Sequence, residues 1–252
     1  MSFLYFFLSF SSPASAWEAK TNSYGKTLHW NQVDIPFYYS SQGTQLSSQE
    51  IFDALQRSGE TWSFADIKLY NAGEIAQADI NPEDEMFSIV FQEEWEEDPE
   101  ILALTYTWSN AEGEIVHFDI EVNTENFAWS TDGAAETHDL QNTITHEFGH
   151  VIGLDHSQVA AATMAPSSTI GEIFKRELHS DDKEGHQHIY SHPLEQQSSE
   201  DGSVSIGSGN TKKPSVNSAG YGLRAPLSAC STLQSPFSLF WIALVGIFRR
   251  IR

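Results

Sequence analysis

His146-Glu147-Phe148-Gly149-His150-Val151-Ile152-Gly153-Leu154-Asp155-His156 is the stretch from which the rest of the chain can be read. Two histidines four residues apart on a helix project from one face, one turn above the other. That spacing suits both imidazoles to a single zinc ion at about 2.0–2.1 Å. Glu147, next to the first histidine, is badly placed to bond the same ion but can reach a water bound to it. Gly153 marks where the helix must stop and the chain turn back, in a backbone conformation that glycine accepts because it has no Cβ to clash. The turn brings His156 round as a third ligand and leaves a fourth position open, the arrangement of a catalytic zinc rather than a structural one. A bare His-Glu-x-x-His arises by chance on polar helices. The added glycine and third histidine weigh against the alternative, a histidine-rich helix that binds no metal.

Outward from this stretch, 252 residues with 40% hydrophobic and 12% aromatic content allow one large domain, or a smaller one with appendages. The net charge of -22, from 35 acidic and 13 basic residues, would repel a polyanion, so nucleic acid is excluded as a partner. Most of this acidity reads as plain solubility. Cys230 is the one cysteine, so no intrachain disulfide is expected. No cysteine stands before the zinc motif, which speaks against silencing by a propeptide thiol.

Phe3 to Phe10 is an apolar run, followed by Ser11-Ser12-Pro13 and Ala14-Ser15-Ala16. Small residues spaced in this way after a short apolar core predict a signal peptide over residues 1–16, with Trp17 as the first mature residue. A buried N-terminal strand is the alternative. Trp30 to Tyr39 reads as a strand whose Pro36 argues for an edge position or a break. Ser47 or Ser48 caps a helix beginning near Gln49, with Ile51, Phe52, Leu55 and Trp62 as its core-facing stripe. Ala65–Tyr70, Phe87–Gln92, Ile101–Trp108 and Ile115–Val122 read as further strands. The acidic runs Glu83-Asp84-Glu85 and Glu93-Glu94-Trp95-Glu96-Glu97-Asp98 read as solvated loops that match no defined calcium loop. The zinc helix then runs over Leu140–Ile152, opening near Thr137–Asp139. Strands, a helix, more strands and an active-site helix describe an α+β domain with a twisted mixed sheet.

The extended zinc motif resembles that of the metzincin metallopeptidases. Three further features narrow the resemblance to the matrixins: Ser157 directly after His156, Met164 in Ala162-Thr163-Met164-Ala165-Pro166, and Asp181-Asp182-Lys183-Glu184-Gly185 with Ile189-Tyr190, which is similar to the helix closing that domain. The similarity spans residues 17–192 and is strongest from Asp139 to Tyr190. It implies a zincin-like fold, one catalytic zinc held by His146, His150 and His156, Glu147 as general base, and Met164 in the Met-turn beneath the metal. It further implies that Leu102-Ala103-Leu104 is the edge against which a peptide substrate pairs and that Pro166 walls the main specificity pocket. The tyrosine found near that proline in the family is replaced by Ser167 and Ser168. His117 matches one ligand of the second, structural zinc of many animal matrixins. The other ligands have no counterpart, so His117 reads as a strand histidine. Asp119 matches a calcium position of the family, which raises Ca2+ as a second metal, although the glutamate expected three residues on is Val122. His29, His138, His179, His186, His188 and His192 have no partner spacing and read as surface or helix-end residues.

Residues 193–229, rich in Ser and Gly, read as a flexible linker. Residues 230–252 comprise Cys230, an apolar run from Phe237 to Phe248, and Arg249-Arg250-Ile251-Arg252. The run is short of the roughly 20 apolar residues that span a bilayer. The arrangement resembles bacterial C-terminal sorting tails, which implies Cys230 as the processing or attachment point. A terminal helix docked on the domain is the alternative. Together these features predict an exported, cell-surface or secreted bacterial zinc endopeptidase. It would be a monomer acting on protein or peptide, with transient or C-terminal membrane association. A catalytically silent zinc-containing binding or adhesion module is the rival, and a processing factor for the cell's own exported proteins is a variant of the enzyme reading.

Overall fold

The computed structural model describes residues 16–64, 66–191, 223–224 and 228–232. The predicted signal peptide up to Ser15, His192, most of the linker and the apolar run Phe237 to Phe248 lie outside the described residues. The first half of the domain is built by a parallel crossover. Strand β1 (Asp34–Tyr39) leads through helix α1 (Ser48–Thr61) to β2 (Lys68–Glu74), and β1 and β2 pair in parallel. Parallel neighbours need such a connection because no tight turn can join their ends. Helix α1 starts where its caps dictate: the Ser47 side chain accepts from the Glu50 N–H and the Glu50 carboxylate accepts from the Ser47 N–H. Ile51, Leu55 and Trp62 are fully buried, as the helical spacing predicts, with Ala54 and Ser58 beside them.

Strands β3 (Ser88–Gln92), β4 (Ile101–Ser109) and β5 (Ile115–Asn123) extend the sheet, β3 parallel to both β1 and β5, and β4 antiparallel to β5. The path continues through β10 (Ser228–Thr232) to β8 (Ser167–Ser168), in the order β2-β1-β3-β5-β4-β10-β8, while β9 (Leu223–Arg224) also pairs with β4. A separate two-stranded sheet joins β6 (Trp129–Ser130) to β7 (His138–Asp139). Pro36 does not put β1 at an edge, since β1 lies between β2 and β3. It is tolerated because β3 joins the ladder only at Tyr38 and Tyr39, leaving the Pro36 level paired on the β2 side alone.

The main core lies between the sheet and helices α1 and α2 (Leu140–Val151), where Phe37, Ile120, Ile144, Phe148 and Met164 meet. Leu104, Tyr106 and Trp108 on β4 gather a second apolar cluster with Ile80 and Trp95. Both loops that carry the acidic runs thus fold an apolar residue onto β4 while their carboxylates stay mostly exposed. Helix α3 (Ser180–Tyr190), capped by His179, closes the described domain. This α+β arrangement matches the expected fold class.

Two of the histidines read as surface or helix-end residues are buried, His138 just before the Asp139 cap of α2 and His186 within α3. His186 lies on the inner face of α3, stacked 3.9 Å from Phe64 and with Nε2 3.4 Å from Asp66. His138 is buried with its ring edge-on to Phe127. Neither position carries a local signal, because burial there comes from segments distant in the chain. His179 is a helix end, as expected.

Candidate metal centre

Every residue of α2 is buried, polar ones included, so the helix runs through the domain rather than over it. Its first turn is held by Asp139, whose side chain accepts the Asn142 N–H at 2.9 Å and pairs with the Arg176 guanidinium. Its last carbonyls, which have no partner within the helix, are taken up from outside. The Trp30 indole donates to Val151 O and the Tyr190 hydroxyl to Ile152 O, each at 2.8 Å.

Glycine is required at two positions here. Gly153 ends the helix at φ +97°, and a Cβ there would strike the Leu28 carbonyl. Gly149, between the first two histidines of the motif, faces Met164 so closely that a Cβ would collide with its sulfur and lie 3.0 Å from the Trp62 ring. Gly149→Ala should therefore overpack this seam and destabilise the fold by about 1–3 kcal/mol, measured by chemical denaturation. A neutral result would show that Met164 can withdraw.

The turn at Gly153 carries the chain to His156. Its position is fixed by pairing with the N-terminal segment: Lys20 N–H donates to Gly153 O and Asp155 N–H to Glu18 O, both at 2.8 Å. The ring centroids of His146, His150 and His156 stand 4.8 to 5.3 Å apart, and one ligand atom from each lies within 4.8 Å of the others. The first two rings are oriented by the backbone. Nδ1 of His146 donates to Thr163 O at 2.6 Å and Nδ1 of His150 to Leu154 O at 2.9 Å. A carbonyl can only accept, so the proton of each ring sits on Nδ1 and the Nε2 lone pair is free. The Nε2 atoms of all three histidines, and Oε1 of Glu147, are buried without a hydrogen-bond partner. Orphaned polar atoms are costly in a protein interior. Three that converge are accounted for by a cation among them.

The electrostatics point the same way. Burial holds His146 and His150 far below the usual imidazole pKa and lowers His156 to about 4, against the upward pull of Asp155. All three are therefore neutral at pH 7, the form a metal requires. Burial pushes Glu147 up to about 7, opposed mainly by the Thr105 hydroxyl, which donates to Oε2 at 2.6 Å. One oxygen of Glu147 is thus held by β4, and the other is buried without a partner.

Met164 is buried. Its N–H and that of Thr163 donate to the two oxygens of Asp182 on α3, at 3.0 and 2.8 Å. The neighbouring Asp181 accepts the Ser157 hydroxyl at 2.6 Å and the Trp17 N–H at 3.2 Å. Leu102, Ala103 and Leu104 lie in β4, with Pro166 just before β8, so the two expected walls of the groove are separate strands of one sheet. Behind β8, Asn142 donates to Ser168 Oγ at 3.1 Å and accepts from the Lys175 N–H, while the buried Lys175 ammonium donates to Ala165 O and Ser167 O. Asp119 is buried under hydrogen bonds from the Asn81 and Ser88 N–H groups and the His117 ring. Both its oxygens are engaged, and His117 serves as their donor on the same strand.

Sequence reasoning missed Thr105, Asp182, Asn142 and Lys175. Each acts through partners in other elements of the fold, from 8 to 42 residues away along the chain. The spacing of Asp181-Asp182 beyond the Met-turn was the one available signal.

The family model for matrixin matches residues 29–191, more than half of the chain. The chain belongs to the matrixin family. This matrixin is 29% identical to human neutrophil collagenase over 168 residues, covering 64% of this chain and 33% of that protein. It is likewise 29% identical to karilysin of Tannerella forsythia over 172 residues, 66% of this chain and 34% of karilysin. It is 48% identical to metalloendoproteinase 5-MMP of Arabidopsis thaliana over 52 residues, 21% of this chain and 14% of the relative. The chain spans about a third of the length of the first two relatives. Matrixins bind a catalytic zinc, and the His146, His150 and His156 cluster fits it.

Proposed function

We propose that this matrixin is a zinc-dependent endopeptidase in which His146, His150 and His156 hold the metal and Glu147 is the general base. The observation that carries this reading is the convergence of three partnerless histidine Nε2 atoms, with Oε1 of Glu147, next to His146 in the chain, also buried and partnerless. Bound there, zinc would supply a Lewis acid that lowers the pKa of a water to about 7 and polarises the scissile carbonyl. Glu147 Oε1 accepts the proton of the attacking water and then returns it to the leaving amine. The Thr105 hydroxyl keeps Oε2 engaged and leaves Oε1 as the oxygen without a partner. Met164 packs beneath the histidines and the Asp182 carboxylate holds its turn. Leu102, Ala103 and Leu104 offer main-chain groups to an extended peptide, with Pro166 and the β8 segment opposite. A silent binding module would have no use for a general base next to the first zinc ligand.

The test is hydrolysis of an unstructured protein such as casein, with and without a zinc chelator. Chelator-sensitive cleavage is expected, and its absence from folded, zinc-loaded protein removes the reading. Thr105→Val should lower kcat about tenfold or more with little change in KM, and Thr105→Ser should restore it. A loss in KM alone would put Thr105 in binding rather than in orienting the base.

Acid should empty the site. A histidine whose folded pKa is depressed contributes stability that is complete above the unfolded value of about 6.5 and is lost as pH falls toward the folded pKa. Each unit of that fall costs about 1.4 kcal/mol per histidine. For His156 the window runs from about 6.5 down to about 4. Denaturation midpoints and zinc content should therefore both drop between pH 7 and pH 5, and a flat profile would contradict three neutral buried ligands.

Export rests on the predicted signal peptide. Cleavage after Ala16 would leave the Trp17 ammonium where its N–H now meets Asp181, adding a charge to that hydrogen bond. A cell-surface or secreted location and attachment or processing at Cys230 belong to the same reading, as does a monomer acting on protein substrates. Among the described residues, no helix is long and apolar enough to cross a membrane. Calcium at Asp119 is not carried into the mechanism, because hydrogen bonds already engage both its oxygens.

A further inference from the structure

Strand β10 lies where a substrate would have to go. The proposed peptide edge is the side of β4 away from β5, and that side is taken by Ser228–Thr232, antiparallel, with Ala229 opposite Leu104 and Ser228 opposite Thr105. The other side of β10 pairs in parallel with β8, Ser231 opposite Ser167 and Thr232 opposite Ser168. Ser231 is also opposite Ile101, so one residue of the tail bridges both walls. The register slips between Ala229 and Ser231, which places Cys230 at the irregularity.

We propose that Ser228–Thr232 is an internal occupant of the peptide groove, withholding the site from external peptide until it is displaced. This rests on the endopeptidase reading of the same groove. An exposed strand edge is a row of unpaired N–H and C=O groups, and an extended segment that fills it uses the hydrogen bonds an incoming peptide would use. Residues 191–227 connect the end of α3 to β10. Because the segment belongs to the same chain, its pairing is intramolecular, so weak pairing competes with dilute substrate better than the same peptide would free in solution. The segment Ser-Ala-Cys-Ser-Thr has small side chains only. The main-chain pairing of this strand is what a peptide that also fills side-chain pockets can overcome.

The test uses the full-length, zinc-loaded chain with Ala229→Pro and Ser231→Pro together, since proline removes the N–H that a ladder needs. Amide exchange over Ile101–Thr105 is first measured in a Glu147→Ala background, so that self-cleavage does not intrude. The amides facing β10 should exchange at least tenfold faster with the prolines, and unchanged exchange overturns the proposal. With Glu147 present, the same prolines should raise kcat/KM on an unstructured peptide tenfold or more, chiefly through KM. Equal kcat/KM despite faster exchange overturns the inhibitory role. Faster exchange in a protein that cleaves nothing in either form leaves the groove occupied and removes the endopeptidase reading instead. Protection that rises with protein concentration assigns the strand to another copy of the chain and overturns the internal assignment. Nicking the chain at a protease site inserted between residues 195 and 220 and separating the tail should reproduce the proline effect; retention of low activity by the freed, folded domain also overturns it.

Discussion

Glu147→Ala is expected to lower peptide hydrolysis at least about 10³-fold while leaving zinc content and denaturation midpoint close to those of the unchanged protein. A positioned general base contributes about 10²–10⁴ in rate, and in this reading Glu147 also handles the proton in the second half of the reaction. The fold should tolerate the change. Glu147 is a buried carboxyl raised to about 7 by desolvation, with Oε1 unpartnered, so its removal relieves a cost. The Thr105 hydroxyl loses its main acceptor but already lies 3.4 Å from the Glu147 carbonyl, which any residue at this position provides. The measurement is kcat/KM on an unstructured peptide beside zinc by elemental analysis. Wild-type turnover by this variant would remove the mechanism.

His150→Ala acts on the metal itself. Zinc affinities of structural sites correspond to about 10–16 kcal/mol over four ligands, so one ligand carries roughly 3 kcal/mol and its loss weakens binding on the order of 10²–10³-fold. The effect should be specific to the ring and not general unfolding. The Leu154 carbonyl loses the Nδ1 donor but keeps its place in the turn through the Leu154 N–H bond to Gly149 O. Dialysis against a chelating resin followed by elemental analysis should find the variant depleted where the parent is loaded. Stoichiometric zinc in the variant would mean that the ligands are misassigned.

These two residues could be singled out without a structure because the roles proposed for them are local. A helix brings positions 146 and 150 together whatever surrounds it, and Gly153 permits only a sharp departure toward His156. The Ser47 cap and the apolar stripe of α1 were legible for the same reason. Thr105 shows the limit. A threonine in a strand has no signature, and its role exists only because β4 lies against α2, 42 residues on. The burial of His186 and the tolerance of Pro36 likewise depend on which strand or helix happens to lie alongside.

The chain's own spacing of histidines, glycine and glutamate thus determined the metal chemistry and the kind of domain that carries it, since those follow from the pitch of one helix and the turn after it. Only the tertiary structure decided the order of the strands, the hydroxyl that holds Glu147, the aspartate that holds the Met164 turn, and the strand paired along β4. Each of these is a contact between segments far apart in sequence, set by burial and backbone pairing, and such contacts leave no periodic trace in the residues that make them.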